Sequence, residues 1–120
     1  MHIKKIIFLF LIATLNGGNL CSAADGVNEK SDGQSLTFDS KKGNCLACHA
    51  IPGEPKAVSP GNIGAPFVKM KKRFPDRAKL RAQIWDATVS NPNSSMPPFG
   101  RNKVLTEQEI DQVTDYIQGL

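Results

Sequence analysis

The chain has 120 residues, of which 22% are charged and 40% hydrophobic, and its formal charge is +4. That size bounds it to one small domain, and so mild a balance makes no electrostatic case for nucleic acid or an anionic membrane surface as partner. A chain this short has a thin core and commonly needs a cross-link, a metal or a cofactor to complete it.

Lys4 and Lys5 give a basic start, and Ile6 to Leu15 form an apolar run. The run is about ten residues, against roughly twenty needed to span a bilayer. Ser22-Ala23-Ala24 then offers small residues to a signal peptidase. A cleaved signal peptide over residues 1–24 is expected, with export to a bacterial periplasm and no membrane span after cleavage. A retained anchor is the alternative, and Leu20 before Cys21 argues against lipid attachment there. The exported domain keeps about 96 residues and a charge of about +2.

Residues 25–35 are polar and contain glycine, and are expected to form a flexible arm. Residues 36–120 form the domain proper. Leu36, Phe38, Cys45 and Cys48 fit a helix, interrupted by Gly43, and Ile51 to Ala65 reads as loop. Pro66 to Phe74 predicts a short helix with Phe67 and Met70 inward and Lys69, Lys71, Lys72 and Arg73 outward. Pro75-Asp76 opens a helix to about Val89, with Leu80, Ile84, Ala87 and Val89 on one face and Trp85 flanking it. Ser90 to Lys103 carries three prolines and no periodicity, which marks a functional loop. Thr106-x-x-Glu109 is a capping box, followed by an Ile110, Val113 and Ile117 stripe and a stop at Gly119. With no strand signal and no repeat, the fold expected is all-α.

Cys45-Leu46-Ala47-Cys48-His49 carries the chemistry. Two cysteines three apart lie on one side of a helical turn, where both can bond the vinyl groups of one haem c. The histidine after them is then placed to ligate the iron. Outside residues 1–24 no other cysteine or histidine occurs, so a zinc site lacks its fourth ligand. A thiol-disulfide oxidoreductase lacks its strand-helix-strand context. A gas sensor would want a labile or missing sixth ligand. Covalent haem attachment takes place outside the inner membrane, so motif and signal predict each other.

Met70 and Met96 are the candidate sixth ligands. Met70 sits among lysines on a helix, where filling the core is the ordinary role. Met96 lies in a proline-stiffened loop able to hold a thioether at the iron, and is preferred. Iron ligated by His49 and Met96 has no open position, which describes an electron carrier rather than an oxygenase or peroxidase. Pro66 is the candidate acceptor for the other nitrogen of His49 and, with Trp85 and Phe99, a candidate pocket residue; plain core packing is the alternative for Trp85 and Phe99. Lys69, Lys71, Lys72, Arg73, Arg77, Lys79 and Arg81 gather the positive charge; they form either a solvated face or a docking surface for an acidic partner.

In order along the chain, Gly43-Asn44-Cys45-Leu46-Ala47-Cys48-His49-Ala50, Arg73-Phe74-Pro75-Asp76, Leu80-Arg81, Ile84-Trp85-Asp86, Asn91-Pro92, Met96-Pro97-Pro98-Phe99-Gly100 and Leu105-Thr106 resemble the SoxX family, the monohaem cytochrome c subunits of the SoxAX sulfur-oxidation complex. Ala65 stands where a second glycine or proline is common in that family. The resemblance runs from about Phe38 to Ile117 and implies a class I cytochrome c-like fold around one covalent haem c, held by Cys45 and Cys48, with His49 and Met96 axial. It implies a heterodimer with a SoxA-like haem subunit acting as an L-cysteine S-thiosulfotransferase on a SoxYZ-like sulfur carrier. This chain would be the electron-accepting half rather than the catalytic one, and would pass electrons by outer-sphere transfer to a downstream acceptor. A free-standing periplasmic shuttle to a terminal oxidase is the second reading, and a scaffold with a structural haem the third.

Overall fold

The computed structural model describes residues 29–120, so the expected signal peptide, Cys21 and the first residues of the arm lie outside the described residues. Among them four α-helices follow in order: α1 (Glu29–Phe38), α2 (Met70–Arg73), α3 (Arg77–Trp85) and α4 (Glu107–Gln118). Single 3₁₀ turns stand at Cys45–Ala47 and Ala87–Val89. No strand occurs among the described residues.

The capping box forms as the sequence predicts. Thr106 Oγ1 accepts from the Glu109 N–H (3.2 Å), and Glu109 Oε2 accepts from the Thr106 N–H (2.9 Å). The stripe of α4 is buried: Ile110, Val113, Tyr116 and Ile117 all face the core. Each such side chain contributes about 2 kcal/mol by leaving water. Leu80 and Ile84 of α3 and Met70 of α2 close on the same cluster.

Residues 29–35, expected within the flexible arm, are helical and belong to α1, which packs across α4. The reason lies in residues without apolar character. A Cβ on Gly33 would collide with the Gln112 carbonyl, so the two backbones meet there as only glycine allows. Thr37 is fully buried, its hydroxyl donating to the Gly33 carbonyl at 2.7 Å. Gln34 donates to Glu54 (2.9 Å) and to the Tyr116 hydroxyl (3.3 Å), joining α1 to the following loop and to α4.

The helix expected to carry Leu36 and Phe38 on into the cysteine motif instead stops at Phe38. Asp39 turns the chain: its carboxylate accepts from Lys41 N–H (2.8 Å) and its carbonyl from Asn44 N–H (3.0 Å). The helix expected to reach Val89 ends at Trp85, because Asp86 is extended and caps a new 3₁₀ turn. Val89 therefore leaves the apolar face and is 83% exposed.

Candidate functional site

Asn44 bends into the left-handed region (φ 46°), which asparagine tolerates, and delivers Cys45 into the 3₁₀ turn. Residues three apart eclipse in that geometry, so Cys45 and Cys48 fall on one side, and both line one cleft. The N–H groups of Cys48 (3.1 Å) and His49 (2.9 Å) both donate to the Cys45 carbonyl, closing the turn.

A loop then zips along the motif. Gly61 N–H donates to the Leu46 carbonyl (2.7 Å), Gly64 to Cys48 (2.8 Å) and Phe67 to Ala50 (2.8 Å). His49 Nδ1 lies 2.7 Å from the Ala65 carbonyl oxygen. A carbonyl only accepts, so Nδ1 carries the proton and Nε2 keeps its lone pair for a metal. Phe67 stacks on the imidazole at 4.4 Å between centroids and 17° between planes. On the adjoining side a Cβ at Gly64 would strike the ring, so the loop backbone itself holds the imidazole in place.

These contacts correct the Pro66 expectation on both counts. The acceptor is Ala65, one residue earlier, and Pro66 is exposed and absent from the cleft lining. Its carbonyl accepts instead from Arg73 NH1 (2.8 Å). Trp85 does not line the cleft: it packs against the core, the alternative given for it, and borders a separate outer groove with Ala82, Val89 and Glu107, its ring carrying the Arg81 guanidinium at 5.7 Å. Phe99 does line the cleft.

The cleft has a volume of about 620 Å³. Cys45, Cys48 and His49 stand in its lining with Met96, Pro97 and Phe99, and Phe67, Phe74, Leu80, Ile84, Leu105 and Ile117 supply the apolar remainder. A large flat apolar group bearing a metal suits such a lining: sulfurs for attachment, a free imidazole nitrogen, thioethers and few charges. Met70 also reaches the cleft, but it is 2% exposed and its sulfur accepts from Arg73 NH1 at 3.3 Å. Met96 is half-buried in the loop.

Burial pushes the Cys45 thiol up to about 12, away from the thiolate a redox nucleophile requires. Among the described residues no group of three His, Cys, Asp or Glu side chains could hold a bare metal ion. No described helix is long and apolar enough to cross a membrane.

A family model described as cytochrome c oxidase, cbb3-type, subunit III matches residues 30–117. The chain belongs to that family. The cbb3 subunit III domain is a cytochrome c domain, so a covalently bound haem c and an electron-transfer role come with it. Two relatives of this cbb3-family cytochrome are an uncharacterized lipoprotein of Aquifex aeolicus (35% identical, over 65% of this chain) and the cbb3-type cytochrome c oxidase subunit CcoP of an Azospirillum species (31% identical, over 64%). The chain spans only 37% and 27% of their lengths. The crystal structure of SoxXA from P. pantotrophus is similar in fold, with a TM-score of 0.67 at 24% identity, over 74% of this chain and 79% of that one. The fold is accordingly all-α and class I cytochrome c-like.

The basic residues divide. Arg77 and Arg81 are bound by Asp111, Asp115 and Glu107 of α4 and tie two helices together, which takes them out of the expected docking cluster. Lys69, Lys71, Lys72 and Arg73 are exposed on and beside α2, with Arg73 at the cleft edge. Sequence reasoning missed Gly64, Ala65 and Phe67 as holders of His49. The paired glycines Gly61 and Gly64 were the signal that a backbone passes close by.

Proposed function

We propose that this chain is an exported periplasmic monohaem cytochrome c, the electron-accepting subunit of a SoxAX-type L-cysteine S-thiosulfotransferase in thiosulfate oxidation. The observation that carries this reading is the meeting of the two segments on which the SoxX resemblance is most specific. Gly100 of Met96-Pro97-Pro98-Phe99-Gly100 donates to the Trp85 carbonyl of Ile84-Trp85-Asp86 (3.1 Å), and Asp86 pairs with Arg101 (2.8 Å). The resemblance thus falls on one piece of architecture, the frame of the loop that carries Met96. The fold likeness to SoxXA supports the same reading.

Cys45 and Cys48 would hold one haem c, with His49 Nε2 and the Met96 thioether as axial ligands; when bound, the group supplies a reversible one-electron couple. Ala65 and Phe67 orient the imidazole, and the apolar lining keeps water from the cleft. A thioether ligand in addition to the imidazole would favour the reduced state, which suits an acceptor of electrons. Lys69, Lys71, Lys72 and Arg73 offer a positive face to an acidic SoxA-like partner, and a SoxYZ-like carrier is reached only through that partner. Electrons then pass to a downstream acceptor.

A second reading, a free-standing shuttle to a terminal oxidase, is favoured by the cbb3-type family description and the CcoP relative. One experiment separates them. Haem-loaded protein is mixed with a purified SoxA-like subunit, a sulfur-carrier protein and thiosulfate, and the reduced-haem absorbance is followed. Reduction that needs both the partner and thiosulfate supports the thiosulfotransferase reading. An oxidised spectrum throughout, with rapid electron donation to a terminal oxidase in a parallel assay, would replace it by the shuttle.

A further inference from the structure

We propose that the buried carboxylate of Asp86 is a positioning group for Met96, clasping both feet of the loop that presents the thioether. The inference rests on Met96 being the axial ligand. Asp86 is 5% exposed and sits where α3 ends. Its Oδ1 accepts from the Thr88 N–H (3.0 Å) and the Thr88 hydroxyl (2.5 Å), which fixes the turn from which the loop departs. Its Oδ2 accepts from Arg101 NH1 (2.8 Å), just where the loop returns. Arg101 NH1 also reaches Thr88 Oγ1 (3.3 Å), so the departing and returning strands of the loop are joined through one carboxylate.

Gly100 seals the same junction. It lies flat on the Trp85 ring, where a Cβ would collide, and its N–H donates to the Trp85 carbonyl. Next to the departing foot the Ser90 hydroxyl donates to Gln83 Oε1 of α3 (2.9 Å); around Met96 itself, hydrogen bonds join near neighbours, as from Ser94 N–H to the Asn91 carbonyl (2.9 Å) and from Met96 N–H to Ser94 Oγ (3.2 Å). The latter bonds shape the loop without fastening it to the rest of the protein. A neutral thioether is a weak ligand, so its occupancy depends on the effective concentration at which the loop holds it. Releasing one foot lengthens the free segment and lowers that concentration.

The test uses ferric haem-loaded protein and imidazole as the competing ligand. Arg101 is 55% exposed, so Arg101→Ala removes the returning foot without opening the core. The variant is expected to bind imidazole about tenfold more tightly than the unmodified protein. Its long-wavelength iron–thioether charge-transfer band should weaken, and Arg101→Lys should restore most of both. Asp86→Asn should act in the same direction and more strongly, while Lys103→Ala, which removes a neighbouring charge, should change nothing. Unchanged imidazole affinity and a full band in both Arg101→Ala and Asp86→Asn would overturn the clasp while leaving the ligand assignment intact. An equal effect of Lys103→Ala would also overturn it, by reducing it to net charge. A band that survives Met96→Ala would overturn the ligand assignment and the clasp together.

Discussion

His49 is held by three neighbours that are not ligands: the Ala65 carbonyl at Nδ1, the Phe67 ring on one face, and the bare α-carbon of Gly64 on the adjoining side. Gly64→Ala puts a methyl where the imidazole lies. The expected cost is about 1–3 kcal/mol, as for other overpacked sites, with a lower thermal midpoint and a disturbed haem spectrum as the measurements. The two methionines make opposite predictions. Arg73 already occupies the sulfur of buried Met70, whereas the Met96 sulfur sits on the loop that frames the cleft. Met96→Ala should lower the reduction potential by at least about 59 mV, equivalent to a tenfold loss of preference for the reduced state. Met70→Ala should leave the potential nearly unchanged and destabilise the fold by about 2–5 kcal/mol, read by denaturant titration.

At the level of elements, α4 is the pillar on which α1 and α3 both rest. Its capping box satisfies backbone donors that would otherwise point into water without a partner. Thr106→Ala should cost about 1 kcal/mol. In a domain of this size that corresponds to a melting point lower by about 4–8 °C. Across the α3–α4 seam, Arg81 Nε (2.9 Å) and Arg77 NH2 (3.0 Å) both bind Asp111 Oδ1, and Arg81 NH2 binds Glu107 (2.5 Å). Arg81 and Arg77 hold the Asp111 carboxyl below its ordinary value of 3.8, and Lys42 with the Thr106 N–H does the same to Glu109 below 4.5. Both shifts are downward, so the unfolded chain takes up protons first as the pH falls. The stabilisation is complete above those ordinary values and fades as the pH drops through the folded ones. The melting point should therefore fall as the pH drops below about 5 and go on falling below those ordinary values, and less steeply in Asp111→Asn. These pairs are half-buried and still reached by solvent, so each is worth about 1 kcal/mol.

For the molecule as a whole, the cleft is the middle of the core rather than a dent in its surface: Met70, Phe74, Leu80, Ile84, Leu105 and Ile117, drawn from α2, α3, α4 and the loops, all reach it. A domain this small leaves those side chains short of partners until a group fills the cleft. Haem-loaded protein should thus melt well above protein expressed without haem attachment, and its colour should stay with the polypeptide after denaturation. Lys69, Lys72 and Arg73 are exposed on and beside α2. If the proposed acidic SoxA-like partner docks there, charge reversal at Lys69 and Lys72 together should slow association with it about tenfold at low salt, with the difference vanishing at high salt; stopped-flow mixing at both reads it.

Spacing and capping rules are local, and what depends on them was legible in the sequence: the Cys45–His49 motif, the Thr106–Glu109 box, the inward face of α4 and the all-α class. Those features are determined by residues within a turn or two of each other. The tertiary structure alone decided that residues 29–35 are helix, because their partner is the Gln112 backbone across the fold and the enabling residue is a glycine. It also decided that Ala65 rather than Pro66 holds His49, that Trp85 faces an outer groove, and that Arg77 and Arg81 are spent within the fold. Each of these depends on which distant segment comes to lie alongside, and neither periodicity nor propensity carries that information.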